Sequence, residues 1–297
     1  MMREHLTFIN EYGKILFGSG KYIITNIDGV NRPEIQRQET SIIDTDGKKI
    51  VRTSYTSKTV TVNGYIRAND KNELYALKLE LTRILDCKTE GKLVYEVDNK
   101  KYFTEAITQE CPIFGDVIQN FVPFTVMFTA FNIYWKTVKQ TKENVYERIA
   151  GIPEKSDGTF TFPCVFSYRK SKKMFFNKGN LSCDFVCEIR GVSETDELVA
   201  AAANTNETPT AGFRIMNNTT GEYMIINHDV AIGETVLVNT AEFSVLSSKD
   251  GNILHKLQNG TDFFKLAPGK SEIEVTNFNT ANNIMVNLSF HETYREV

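Results

Sequence analysis

The sequence predicts a mainly β protein: an N-terminal β-sandwich-like domain with one packed α-helix, followed by a second β-sandwich or jelly roll. Three observations carry this prediction. Most apolar segments alternate apolar and polar residues, the period of half-buried strands. Only the stretch from Asp70 to Leu85 changes to a helical period. In the second half, short alternating runs are separated by Gly and Asn turn signals at spacings of about 8 to 15 residues, the pattern of a sandwich.

In chain order, Leu6–Asn10 and Lys14–Phe17 read as a hairpin around Glu11, Tyr12 and Gly13, and Tyr22–Ile27 as a strand ending at Asp28-Gly29. Pro33 to Lys58 is polar and rises only at Ile42, Ile43, Ile50 and Val51. It reads as an extended arm or long hairpin, and long segments of this kind in a compact domain tend to be functional, often by reaching a partner. Its DTDG begins like a calcium loop but lacks the next alternate ligand and the closing Glu, so it reads as a turn. From Thr59 to Arg67 the alternation puts Val60, Val62, Gly64 and Ile66 on one side. Asp70 then caps a helix, with Glu73 expected to reach back to it. Leu74, Leu77, Leu81, Ile84 and Leu85 paint one apolar stripe over about four turns. Lys92–Val97 and Lys101–Ile107 form a hairpin across Asp98, Asn99 and Lys100, and Phe121–Phe131 alternates again. Pro123 marks an edge strand or the start of one.

Lys136 to Gly158 is rich in Lys, Glu and Gln and ends in EKSDG, so the expected organisation is residues 1–135, a linker 136–158 and a second domain 159–297. In that domain Phe160–Tyr168, Leu181–Ile189, Phe213–Met216, Tyr223–Ile226, Thr235–Val238, Glu272–Phe278 and Ile284–Phe290 are expected strands. Val199–Thr210 is poor in packing residues and reads as a surface loop. The basic run Arg169–Lys173 reads as a solvated hairpin tip.

Composition excludes several function classes. With 41% hydrophobic and 24% charged residues the chain is an ordinary globular one, and its net charge of -3 argues against a nucleic-acid surface. No run approaches 18 apolar residues, and the N-terminus lacks the apolar core of a signal peptide, so neither membrane insertion nor secretion is expected. The five cysteines form no CxxC and no zinc spacing with histidine. Cys183 and Cys187 share a strand face with Leu181, Phe185 and Ile189, as buried small hydrophobes in a reducing compartment would. The four histidines are scattered, and no P-loop, GxSxG elbow or HExxH occurs; Gly18-Ser19-Gly20 is a lone turn. The expectation is no enzyme, no metal and no cofactor. One surplus stands out: Phe121, Met127 and Phe131 oppose Val122, Phe124 and Phe128, so both faces of one strand are apolar. Either contact with other copies or the two layers of a sandwich would cover the second face.

The order of several pieces resembles a known family. REHLTFINEYG at Arg3–Gly13, ITNIDGV at Ile24–Val30 with Pro33 soon after, a variable arm, TVTVNGYIRANDKNELYALKLELTRIL at Thr59–Leu85, KLVYEV at Lys92–Val97 and FTVMFTAFNIYW at Phe124–Trp135 together resemble the distal tail proteins (Dit) of long-tailed bacteriophages. NNTTGE at Asn217–Glu222, LAPGKSEIEV at Leu266–Val275 and Tyr294-Arg295 resemble the galectin-like β-sandwich that ends these proteins. The resemblance implies a non-enzymatic architectural part: a ring, usually a hexamer, at the end of the tail tube. Its N-terminal domains would face the tail tube protein on one side and the tail-tip or tail-associated lysin protein on the other. The C-terminal sandwiches would project outward and, in some relatives, hold receptor-binding proteins. Its place would be the virion tail tip at the baseplate, after assembly in the host cytoplasm. From shape, Thr40, Ile42, Ile43, Ile50, Val51 and Ser57 are expected to embrace the neighbouring subunit, and Leu74, Leu77, Leu81 and Leu85 to be core. The alternative reading is a two-domain glycan-binding adsorption protein that recognises host cell-wall carbohydrate, with Tyr168 or Tyr223 stacking on sugar. The chain has no room for the inserted carbohydrate-binding module that some relatives carry.

Overall fold

The computed structural model describes residues 4–41, 46–145, 147–149, 168–170, 172–192, 212–278 and 283–297. It is mainly β, with a single α-helix among the described residues and two compact units, 1–139 with 293–297 and 140–292.

The first unit contains β1 (His5–Asn10), β2 (Gly13–Phe17), β3 (Tyr22–Asp28), β4 (Pro33–Ser41), β5 (Lys48–Arg67), β6 (Glu90–Val97), β7 (Lys100–Thr108), β8 (Ile113–Phe114), β9 (Phe121–Ala130) and β10 (Trp135–Thr137). Helix α1 (Lys71–Ile84) lies between β5 and β6. The strands join in one sheet of order β2-β1-β6-β7-β9-β5-β3, from which β4 pairs β5, β8 pairs β9 and β10 pairs β7. The outermost strands β2 and β3 are consecutive in the chain, and the Gly18 N–H donates to the Tyr22 carbonyl at 2.8 Å, so the sheet curls round one core. Alternation decides that core: Phe8, Val60, Val62, Ile66, Leu93, Val122, Phe124 and Phe128 all point inward and are buried. Gly64 continues the inward period because a Cβ there would lie 2.1 Å from the Ile23 carbonyl oxygen of the paired strand. Asp98 and Asn99 both take positive φ, the conformation of a tight two-residue hairpin turn.

The helix begins as its sequence dictates. The Asp70 carboxylate accepts from the Glu73 N–H at 2.8 Å. Glu73 reaches back one residue further than a capping box would, accepting from the Asn69 N–H at 2.6 Å and pairing with Lys21 at 2.7 Å. Leu74, Leu81, Ile84 and Leu85 are buried and Leu77 is half-buried against the same core. The Tyr22 hydroxyl, 3.1 Å from the Leu77 carbonyl oxygen and 3.0 Å from Glu80, ties the helix to β3.

The second unit holds β11 (Thr141–Asn144), β12 (Glu147–Ile149), β13 (Tyr168–Lys170), β14 (Lys172–Asn177), β15 (Phe185–Val192), β16 (Phe213–Asn217), β17 (Tyr223–Ile226), β18 (Thr235–Asn239), β19 (Ser244–Ser247), β20 (Gly251–Asn252), β21 (Gly269–Asn277) and β22 (Asn283–Phe290). Two sheets, β11-β22-β15-β18-β19-β20 and β14-β21-β16-β17, enclose one core, to which Cys187, Val238 and Leu288 contribute from the first and Phe213, Ile215 and Ile273 from the second. The last strand, β23 (Thr293–Tyr294), pairs with β10 in the first unit, and Asn31 clamps Val297 by two hydrogen bonds of 2.8 and 3.0 Å.

Two expectations change. The strand expected from Leu181 starts only at Phe185, because the buried Asn177 amide donates to the Leu181 and Leu266 carbonyls (2.9 and 3.1 Å) and holds the intervening chain in a turn. The basic run at 169–173 is no hairpin tip. Lys172 and Lys173 sit within β14, where Glu272 and Glu143 pair with them at 3.4 and 3.2 Å. The expected strand around Phe160–Phe166, the Val199–Thr210 loop and Cys164 lie outside the described residues.

Candidate interaction surfaces

Strand β5 has twenty residues and two different lives. From Lys58 to Arg67 it is a central strand between β9 and β3. From Lys48 to Ser57 it pairs only with β4, making a two-stranded arm beyond the sheet. Nearly every arm residue is exposed, including Ile35 and Ile50 (53% each), Val51 (60%) and Tyr55 (43%). Among the sequence-expected arm residues, Thr40 pairs with Lys49 in the exposed part, and Ser57 closes the base by donating to Glu34 at 2.8 Å. Hydrogen bonds from Ser57 and Thr59 hold the Glu34 carboxyl below the usual carboxylate range. Ile42 and Ile43 lie outside the described residues. Ile35 and Tyr55 escaped the sequence reading because they are neighbours only through the register of the hairpin.

A second exposed apolar surface runs along β9 toward the other end of β5, with the Gln109 N–H donating to the Met127 carbonyl at 2.8 Å and Ile113 pairing with Thr125. Phe121 pairs with Arg67, and its ring stacks edge-on against Tyr65 at 5.7 Å. A tight turn of two hydrogen bonds, 2.9 and 3.0 Å, holds Ile118 beside Phe121. Ile113, Val117 and Ile118 are each more than half exposed. The segment from Gln109 to Asn120 carries Glu110 and Asp116 and no Lys or Arg.

Lys58 stands where the arm leaves the sheet. It continues the inward period of Val60 and Val62 and is fully buried. Its ammonium lies 3.9 Å from the centroid of the Trp135 ring and donates to the Ile133 carbonyl at 3.0 Å. Burial pushes its pKa down to about 7. The signal was in the sequence: Lys58 is two residues before Val60 on the apolar side.

A buried polar cluster lies in the second unit. The His228 Nε2 is 2.7 Å from Glu234 Oε1, the Ser247 hydroxyl donates to the same oxygen, and the Ala231 N–H donates to the other at 2.9 Å. Lys256 Nζ lies 2.8 Å from His228 Nδ1 and 3.2 Å from Asp250. Burial would raise the Glu234 carboxyl, but the bonds from Ser247, Ala231 and His228 outweigh it and keep it below the usual range. The order is serine, carboxylate, histidine. A hydrolytic triad needs the histidine between the other two, so this cluster braces the loop before β18 against the β19–β20 turn. Cys183 and Cys187 are buried in the core, and burial pushes the Cys183 thiol up to about 12 and that of Cys187 higher still. No group of three metal-ligating side chains occurs among the described residues. No helix among them is long and apolar enough to cross a membrane.

The comparisons with known proteins agree with this layout. Residues 12–130 match the family model described as a phage tail protein RIFT-related domain, and residues 195–294 match that of the siphovirus-type tail component, C-terminal domain. No curated protein matches the chain. Among solved structures, the Dit protein of phage SPP1, described as a paradigm of the hub adsorption apparatus in phages infecting Gram-positive bacteria, is similar over 97% of this chain and 98% of its own (TM-score 0.64, 12% identity). A chain of the phage P2 baseplate in its activated conformation with Ca is similar over the whole of both chains (TM-score 0.52, 10% identity). The two models fall on the two halves in order and together take in most of the sequence; this chain belongs to the distal tail protein (Dit) family, structural components of siphovirus-type phage tails.

Proposed function

We propose that this protein is the hub of a phage tail tip: a closed, hexameric ring that joins the tail tube to the baseplate and to the proteins of host adsorption. The first unit forms the ring and faces the tube protein on one side and the tip or tail-associated lysin protein on the other. The second unit is the galectin-like sandwich, projecting outward and available to a receptor-binding protein. The protein works without catalysis, at the virion tail tip, after assembly in the host cytoplasm.

The observation that carries this reading is the arm. A lone two-stranded hairpin is marginal in water at best, and this one exposes four large apolar side chains that no described residue of its own chain covers. A neighbouring subunit supplies the partner. The test is the mass and shape of the purified protein: light scattering and negative stain should give closed rings with a central channel. A protein that is strictly monomeric at tens of micromolar sinks the reading. Removing Gln36 to Tyr55, with a short turn in their place, should leave a folded monomer, because Glu34, Ser57 and Lys58 at the base remain. If trimmed protein still closes into rings, the arm does not hold them.

A further inference from the structure

We propose that the segment from Thr293 to Val297 is an assembly strap: it docks on the first unit, fixes the root of the arm, and so admits a chain to the ring only after that chain's second unit has been made and folded. This rests on the ring reading and adds what makes a chain competent to enter one.

Three observations carry it. The first is chain order: the first unit consists of 1–139 and 293–297, and the whole second unit, 140–292, lies between the two pieces. At about 5 to 20 residues per second a ribosome needs roughly 8 to 30 s to make that interval, long enough for the earlier strands to fold without the strap. The second is where the strap lands. Tyr294 is the strand partner of Trp135, whereas β10 pairs with β7 only at Lys136 and Thr137. The Tyr294 ring meets Tyr102 edge-on at 5.3 Å, and Val297 packs against the core of the first unit. The Val297 N–H and carbonyl take both ends of the Asn31 carboxamide, at 3.0 and 2.8 Å, and Asn31 lies two residues before Pro33, where the arm begins. Trp135 in turn lies against Lys58, at the base of the other arm strand, and donates to the Val30 carbonyl. The strap thus grips the roots of both arm strands. The third observation is that the strap cannot hold on alone. It has one strand of two residues, and ordering it costs more than so few contacts return unless it is tethered close by. The tether is β22, which ends at Phe290, two residues short of Thr293, and is held in the second unit between β11 and β15. A folded second unit supplies that tether, whereas an unfolded one leaves the strap at the end of a long loose chain.

The experiment uses full-length variants. Asn31→Ala with Tyr294→Ala removes the clamp and the ring contact, and Glu296→Ala, at an exposed strap position, is the control. Hydrogen exchange read by mass spectrometry should quicken in the double variant at residues 29–36 and 134–137 and stay unchanged at 213–277. Light scattering should show rings only at about ten times the wild-type concentration or more, with the control unchanged. In an equimolar mixture with wild type, a tagged double variant should fill fewer than about one ring place in ten. Asn31→Ala alone, at an exposed position, should give the same changes in smaller measure without a general folding defect. Val238→Asp puts an unpaired charge in the core of the second unit and tests the tether: exchange should quicken at 29–36 too, although nothing there is altered. Variant rings at the wild-type concentration, equal shares in the mixture, or full protection of 29–36 in Val238→Asp overturn the proposal and leave the ring reading standing. A monomeric wild type would sink the ring reading and this proposal with it.

Discussion

The ammonium of Lys58 lies 3.9 Å from the centroid of the Trp135 ring, in a fully buried place where it donates to the Ile133 carbonyl at 3.0 Å. Trp135 is itself fixed by its indole N–H, which donates to the Val30 carbonyl at 2.9 Å. The arm thus starts from a point pinned on three sides by β5, β10 and the turn before β4.

Burial of this cation predicts a pH effect. In the unfolded chain a lysine titrates near 10.4, whereas here Lys58 is pushed down to about 7. Between those values the unfolded chain binds more protons, so the Lys58 contribution to stability rises as pH increases from 7 to 10. Below pH 7 the full burial cost is present. Lys58→Met should therefore raise the melting temperature at pH 6 by several degrees and flatten the rise above pH 7, since replacing a buried charge by an apolar group of similar length is commonly stabilising. Equal losses at pH 6 and pH 9 would mean that the Trp135 contact outweighs desolvation.

The helix offers a paired test. Leu81 is fully buried, and Leu81→Asp would place an unpaired charge in the core of the first unit. A loss above about 4 kcal/mol, enough to unfold that unit, is expected. Leu79, two residues earlier and 54% exposed, should accept Asp with a change within about 0.5 kcal/mol. Urea unfolding followed by circular dichroism separates the two, and similar losses in both would contradict the burial pattern.

Glu234 braces the second unit through three donors. Glu234→Ala leaves Ser247, His228 and the Ala231 N–H without their acceptor, at a cost of about 3 kcal/mol near neutral pH. Because its folded pKa is depressed, the carboxylate's contribution is present above the ordinary carboxylate range and lost as pH falls through the folded value. The gap in melting temperature between wild type and variant should shrink between pH 6 and pH 3. A gap independent of pH would assign the loss to packing alone.

The thiols should divide by burial. In native protein, alkylation mapped by mass spectrometry should modify the exposed Cys87 and Cys111 quickly and leave Cys183 and Cys187 untouched until the chain unfolds. Fast native labelling of Cys187 would show that the sandwich core opens.

Much of this was legible because strands and helices write their periods into the chain. The alternation from Val60 to Ile66, the Asp70 cap and the leucine stripe place β5 and α1 without any long-range information. The turn signals do the same for most strands of the sandwich, since a half-buried strand must alternate wherever it pairs. Periodicity carries no register. It therefore could not bring Ile35 opposite Tyr55, set Lys58 on Trp135, or bring Ser247 of β19 onto His228 and Glu234 of the loop before β18. Nor could it return Thr293 and Tyr294 to the first unit, because a two-residue strand has no period to read. The sequence by itself determined which residues face inward and that one long polar segment had little core of its own. Only the tertiary structure decided that this segment is a hairpin extending the central strand, and that the chain from Gln109 to Phe121 lies back along β9. Those facts depend on which strands pair, and pairing is settled by contacts between residues far apart in the chain.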